Sequence, residues 1–348
     1  MALKWLTVSL FLIFANWTTS VARAQNVTIT PLGAAANEFC VGDRALLFED
    51  PTGVRVLIAP GRTVGLDTGA FVRGSADPRL NGSVHVLLID HPHVDHIGDV
   101  FHTNCAGSAT RPFEFPSEGN APEIAARLNS AVLVGGEMPD FFTQKIKNVN
   151  GGTAPAGCPA DGLDNKFVVP RTSPCVGVIR GGTRTAVISL QGPGVKITTI
   201  PAFHAAGAAR IHIDPPNVPV GLTGYAGSET GYIIRFTNGL TVLWTGDSGL
   251  IGDWETQSKF YRPNLAVVHG GDLFTMGPDE AAFAVNQLIK PRSVIPEHFN
   301  QVSTTGGKVN GGTKLERFIQ QLKGQASNRV IVPLSGVPIS CDGQGNCS

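Results

Sequence analysis

Six residues, Val84-His85-Val86-Leu87-Leu88-Ile89, form a near-continuous apolar run that stops abruptly at Asp90. Such a run, with no polar/apolar alternation, is the pattern of a strand covered on both faces, and so of a layered α/β protein. The nine residues from His91 to Asp99, HPHVDHIGD, then carry three imidazoles and two carboxylates. Polar groups packed just past a buried strand belong on a loop at the sheet's edge, where α/β proteins place their sites. On such a loop His91 and His93 can converge on one cation while Asp95 and His96 turn toward another. Imidazole with carboxylate suits zinc or another divalent first-row metal.

Short strand patterns flank this segment at Val27–Thr30, Arg44–Phe48 and Val54–Ile58. They resume at Val195–Ile200, Tyr232–Phe236 and Leu240–Trp244, the last two joined by Thr237-Asn238-Gly239, a strong hairpin signal. Helices are expected at Ala121–Asn129, Asp279–Ile289 and Lys314–Leu322, with a short strand at Ser293–Ile295. Residues 26–100 and 195–300 each run strands into acid/His clusters, the pattern of two packed sheets sharing one site. From about 102 to 185 the chain is rich in Gly and Pro and reads as an inserted loop layer.

The first 24 residues read as a signal peptide: Lys4, an apolar stretch from Trp5 to Ala15, and Ala22-Arg23-Ala24, with Gln25 at the mature N-terminus. Residues 25–348 then form one domain, expected to be periplasmic or secreted. All six cysteines fall in it, and an even count after a signal peptide favours disulfides. Cys158/Cys175 and Cys341/Cys347 are the pairings expected, although six cysteines allow 15 connectivities. Lys and Arg total 27, as do Asp and Glu, with no basic block, so neither nucleic acid nor a membrane surface is an expected partner. A small-molecule substrate is.

The segment His91–Asp99 resembles the metallo-β-lactamase superfamily, which implies a four-layer αβ/βα sandwich, here with the inserted region. The resemblance also implies three later ligands. They match His204 after Ile200-Pro201-Ala202-Phe203, Asp247 after Leu243-Trp244-Thr245-Gly246, and His298 after Ile295-Pro296-Glu297. By that analogy His91, His93 and His204 hold one metal, Asp95, His96 and His298 the other, and Asp247 bridges them. The cofactor implied is two divalent ions, zinc first, with manganese or iron(II) as alternatives. Within the superfamily, residues 231–239, 245–253 and 274–282 are similar to the L-ascorbate-6-phosphate lactonase-like group. The chain departs from that group at Ala59, where an acid is usual, at Asp90, where Thr or Ser is common, and at His269, where Pro is frequent. Asp67, Asp90 and Asp99 are candidates to orient ligand imidazoles, Asp272 to line the pocket, and His269 reads as a strand-end residue.

Such a site implies a metal-dependent hydrolase in which a bridged hydroxide attacks an ester, lactone or phosphodiester, with Asp95 and Asp247 as its catalytic carboxylates. Ser248 lacks the G-x-S-x-G context of a nucleophile. The alternatives are a β-lactam hydrolase, disfavoured because β-lactamases generally lack the bridging carboxylate, and an exported metal-binding protein without turnover.

Overall fold

The computed structural model describes residues 26–61, 74–98, 100–110, 120–135, 138–158, 166–179, 185–190, 192–205, 207–209, 223–225, 229–323 and 329–348. Its first strands are β1 (Val27–Pro31), β2 (Leu46–Glu49), β3 (Arg55–Ile58) and β4 (Val86–Ile89). The first three pair antiparallel, and β3 and β4 pair parallel. After β4 come a one-turn helix, α1 (Val94–Ile97), and the hairpin β5 (Val100–Asn104) and β6 (Gly107–Thr110). Next are α2 (Asn120–Leu128), β7 (Ala131–Val134), α3 (Pro139–Val149), β8 (Ala156–Gly157), β9 (Lys166–Val168) and β10 (Cys175–Val178).

The stretch expected as an inserted loop layer therefore builds part of the frame. β7 pairs parallel with β4, β10 with β7, and β8 with β10. These strands are two to four residues long and set among turn formers, which hid them from a reading that relies on longer apolar runs. α3 escaped for a similar reason, although it begins with Pro139, a favoured first helical residue, and buries Phe142 and Ile146 one turn apart.

The second half contributes β11 (Thr185–Ser189), β12 (Val195–Pro201), the hairpin β13 (Gly207–Ala209) and β14 (Thr223–Tyr225), β15 (Thr230–Arg235) and β16 (Thr241–Trp244). There follow α4 (Asp253–Tyr261), β17 (Leu265–His269), α5 (Pro278–Phe283) and β18 (Ser293–Glu297). α5 runs on into a π-helical turn at Ala284–Ile289, so the helix expected over 279–289 is present with a widened second half. The chain closes with β19 (Thr304–Thr305), β20 (Lys308–Val309), α6 (Lys314–Gln321) and β21 (Ile339–Cys341). As the Asn-Gly pair predicts, a tight turn joins β15 to β16, with Gly239 at φ +101°.

The strands form an eight-stranded sheet, β21-β1-β2-β3-β4-β7-β10-β8, and a seven-stranded sheet, β18-β17-β16-β15-β12-β11-β9. Successive side chains of a strand point to opposite faces, and β4 shows the result. Val86 and Leu88 face the other sheet, among Val56, Tyr232, Val242 and Trp244. Leu87 packs outward with Ile124 of α2 and Phe142 of α3. On the far side Ile233, Leu243 and Ala266 meet Trp254 of α4, Ala281 of α5 and Phe318 of α6. The result is the αβ/βα sandwich expected from the sequence, and each fully buried aliphatic side chain contributes about 1.5–3 kcal/mol.

Both expected disulfides, Cys158–Cys175 and Cys341–Cys347, are present, and the third joins Cys40 to Cys105. No helix among the described residues is long and apolar enough to cross a membrane.

Candidate metal centre

β12, β16, β17 and β18 run in one direction, because β12 and β16 each pair antiparallel with β15 while β16, β17 and β18 pair parallel. Their C-terminal ends therefore open on one edge, and His204, Asp247, His269 and His298 lie at or just past them. The C-terminal end of β4 meets this edge from the other sheet. Tyr232 Oη donates to Ile89 O at 2.6 Å, and the Thr230 amide donates to Asp90 O at 3.1 Å. α1 then lies hard against Gly61, where a Cβ would collide with the backbone of Asp95 and His96. Glycine at that position is a condition for the cluster to form.

The structure brings all seven expected residues into one cluster, with four of the imidazoles around one atom, Asp247 Oδ2. From it His298 Nε2 is 3.1 Å away, His96 Nε2 3.3 Å, His204 Nε2 3.7 Å and His91 Nε2 3.8 Å. His93 reaches the group through its Nδ1, 3.2 Å from His204 Nε2. His91, His93 and His204 form one triplet able to hold an ion, and Asp95, His96 and His298 another.

The side chains behind these residues fix which nitrogens face inward. Asp90 Oδ1 accepts from the His91 amide at 2.9 Å and lies 3.2 Å from His91 Nδ1 and 3.0 Å from His96 Nδ1. His91 Nε2 is thereby aimed at the cluster, buried and without a hydrogen-bond partner among the described residues. That orphaned lone pair, with two further imidazoles and the Asp247 carboxylate, fits a divalent cation. Glu229 Oε1 accepts from the His204 amide at 2.6 Å and holds its loop. His269, buried at the end of β17, places Nδ1 3.0 Å from Asp247 Oδ1. It acts on the carboxylate and belongs to neither triplet.

The electrostatics divide the site. Burial, then the neighbouring charges of His91 and His204, hold the His93 imidazole down at about 3, and His204 is lowered by burial and His91. Neutral imidazoles with available lone pairs are what a metal requires. The carboxylates behave oppositely. Burial alone would raise Asp247, but the charges of His298 and His96 and hydrogen bonds from His269 and His298 hold it well below the usual range. Asp90 stays ionised through His96 and His91, and Asp95 chiefly through Arg44, in each case against the effect of burial. His96 is raised to about 10, because Asp90 and Asp247 outweigh its burial.

Arg44 is the residue that the sequence reading missed. It is buried, and its Nη1 contacts Asp95 Oδ2 and His298 Nε2 and lies 3.5 Å from His96 Nε2. Nη2 donates to Asn300 Oδ1 at 3.2 Å, and Nε to Gly42 O at 2.9 Å. The expectation of two metal positions thus meets a guanidinium in the second. A charged residue opening an expected strand carries no signal of this kind. Ser248 Oγ accepts from the Phe203 amide at 3.0 Å and donates to Gly249 O at 2.7 Å, a bracing role rather than a nucleophile's. Asp272 lies on the loop after β17, its amide donating to Met276 O. Asp67 and Asp99 lie outside the described residues.

A Beta-lactamase superfamily domain matches residues 161–299. The chain is 28% identical over 306 residues to a UPF0173 metal-dependent hydrolase of Cupriavidus necator, covering 88% of this chain and 86% of the relative. It is 29% identical over 306 residues to one of Cupriavidus taiwanensis, covering 88% and 87%. Among solved structures, Igni18, a metallo hydrolase from Ignicoccus hospitalis, superposes with a TM-score of 0.53 at 20% identity, over 91% of this chain and 99% of that one. Over residues 161–299 the chain is thus similar to the Beta-lactamase superfamily domain, over most of its length it is similar to metal-dependent hydrolases, and its fold is like that of a metallo hydrolase.

Proposed function

We propose that the protein hydrolyses an ester, lactone or phosphodiester bond with water activated at a metal held by His91, His93, His204 and Asp247. The observation that carries this reading is the convergence of four imidazole nitrogens within 3.8 Å of one Asp247 oxygen. A divalent ion held there would lower the pKa of a coordinated water to about 7, which would supply a nucleophile at neutral pH. Asp90 and His269 keep His91 and Asp247 oriented, and the ionised Asp247 favours cation binding. Zinc suits the donor set best, with manganese or iron(II) as alternatives.

Exposed apolar side chains lie on the loops that leave the site. Phe203 precedes His204, and Leu250 follows Ser248 by two residues. Leu273 and Phe274 ride on a loop tied to the site through the Met276 amide and Ser248 O, 3.0 Å apart. This rim supports a substrate with an apolar group beside the scissile bond. The similarity to the lactonase-like group makes a lactone the first candidate. Export is proposed on the n-region, apolar stretch and A-x-A pattern of residues 1–24, and the three disulfides suit an oxidising compartment.

The test is a screen of a generic lactone, an aryl ester and a bis-aryl phosphodiester with zinc- and manganese-loaded protein. Turnover of at least one, abolished by chelator and restored by metal, is expected. Absence of turnover on all three, or turnover indifferent to chelation, would overturn the reading.

A further inference from the structure

We infer that the second cation position is held by the chain's own Arg44 guanidinium, so that the wild-type protein takes one metal ion and not two. The inference rests on the metal-site reading above and concerns the triplet Asp95, His96 and His298. Arg44 Nη1 touches Asp95 Oδ2 and His298 Nε2 and lies 3.5 Å from His96 Nε2. Those are the inward-facing atoms through which the triplet would bind an ion. Nη1 fills the point between these atoms where an ion would sit, and a guanidinium, which has donors and no acceptor, cannot itself be a ligand to that ion. The two occupants exclude each other.

The guanidinium is also held from behind. Nη2 donates to Asn300 Oδ1 and Nε to Gly42 O, and the residue is 1% exposed. Withdrawing it would strip three sets of hydrogen bonds from a buried charge and leave that charge to find others. Leaving a buried charge unpaired is among the most costly changes a folded chain can undergo. In the opposite triplet His91 Nε2 has no hydrogen-bond partner among the described residues, and His93 Nδ1 lies 3.2 Å from another imidazole nitrogen, His204 Nε2.

Charge balance points the same way. Three carboxylate side chains, those of Asp90, Asp95 and Asp247, lie in or against the cluster. One divalent ion and Arg44 offset three carboxylate charges. Two divalent ions beside the guanidinium would leave two uncompensated positive charges in a buried space. Arg44 is thus a fixed monovalent cation that steadies Asp95 and His298, and it cannot carry a second activated water.

The experiment is metal stoichiometry. The mature protein is dialysed against excess Zn2+ or Mn2+, freed of loose ions, and assayed for metal per chain. Wild type should hold one ion, and its Mn2+ electron paramagnetic resonance spectrum should be that of an isolated ion. Arg44→Met removes the charge while keeping an unbranched side chain, and should raise the content from one ion to two. The Mn2+ spectrum should then show the coupling of a pair about 3.5–4 Å apart. Arg44→Lys, which restores a cation, should return it to one. Two ions and a coupled spectrum in wild type would overturn the inference and leave the metal-site reading standing. No tightly held ion in wild type would overturn both. Wild type decides the question alone, even where Arg44→Met fails to fold.

Discussion

The two halves of the centre are built from the same chemistry and differ in what stands between their ligands. His91, His93 and His204 surround a space into which no cationic side chain projects among the described residues, whereas Asp95, His96 and His298 surround the tip of Arg44. A ligand set alone therefore does not define a metal site; the group that competes for its lone pairs matters equally. The difference traces to supply: the first triplet is fed by β4 and β12, while the second faces the segment entering β2, which carries Arg44.

The largest expected effect comes from the residue common to both halves. Asp247→Asn keeps the size of the side chain and removes the negative charge that Oδ2 presents to four imidazoles. Hydrolysis should fall on the order of 100-fold or more, and bound metal should drop below one ion per chain. Ser248→Ala, one residue away, should stay within several-fold of wild type, since Ser248 only braces Phe203 and Gly249. The reverse outcome, a dead Ser248→Ala and an unaffected Asp247→Asn, would point to a covalent mechanism.

Asp90 separates the halves more finely because one of its oxygens backs a histidine of each, His91 and His96. Asp90→Asn should weaken metal binding about 10- to 100-fold, as loss of an orienting partner generally does. A calorimetric titration should show one weakened event. Two separately weakened events would mean that both halves take metal and would erase the contrast.

A further effect, on stability rather than on activity, lies beside Arg44. Burial pushes the Asp43 carboxyl up to about 6, against the backbone amides of Cys40 and Ala34 and the guanidiniums of Arg79 and Arg44. A carboxyl raised above its ordinary 3.8 favours folding in its neutral form. That contribution is complete below about pH 4 and is lost as pH rises through about 6. The rise corresponds to on the order of 3 kcal/mol across the window. Urea unfolding of metal-free protein from pH 4 to 6.5 should show wild type losing stability relative to Asp43→Asn. Parallel profiles would show that Asp43 is ionised throughout.

Much of this centre was legible in the residues. The strand Val84–Ile89, the cluster after it and the Asn-Gly hairpin are local signals, and each survives in the fold. His204, Asp247 and His298 were reached through the resemblance to the metallo-β-lactamase superfamily, whose later ligands they match, each just past an apolar strand. Asp90 was readable as an orienting group by adjacency. Arg44 was not, because its partner Asp95 lies 51 residues away and its partner His298 lies 254 away. The strands Ala131–Val134 and Cys175–Val178 were hidden by brevity: four residues carry too little periodicity to outweigh the surrounding Gly and Pro.

The Cys40–Cys105 bridge, separated by 65 residues, closes that stretch of chain into a covalent ring. Arg44 is a member of the ring, and so are His91, His93, Asp95 and His96. The plug and four of the expected ligands are therefore links of one circular tether. Arg44 cannot drift far from Asp95 while that tether is shut, even when the packing around it loosens. Reduction of that single bond would lengthen the leash without touching any atom of the centre.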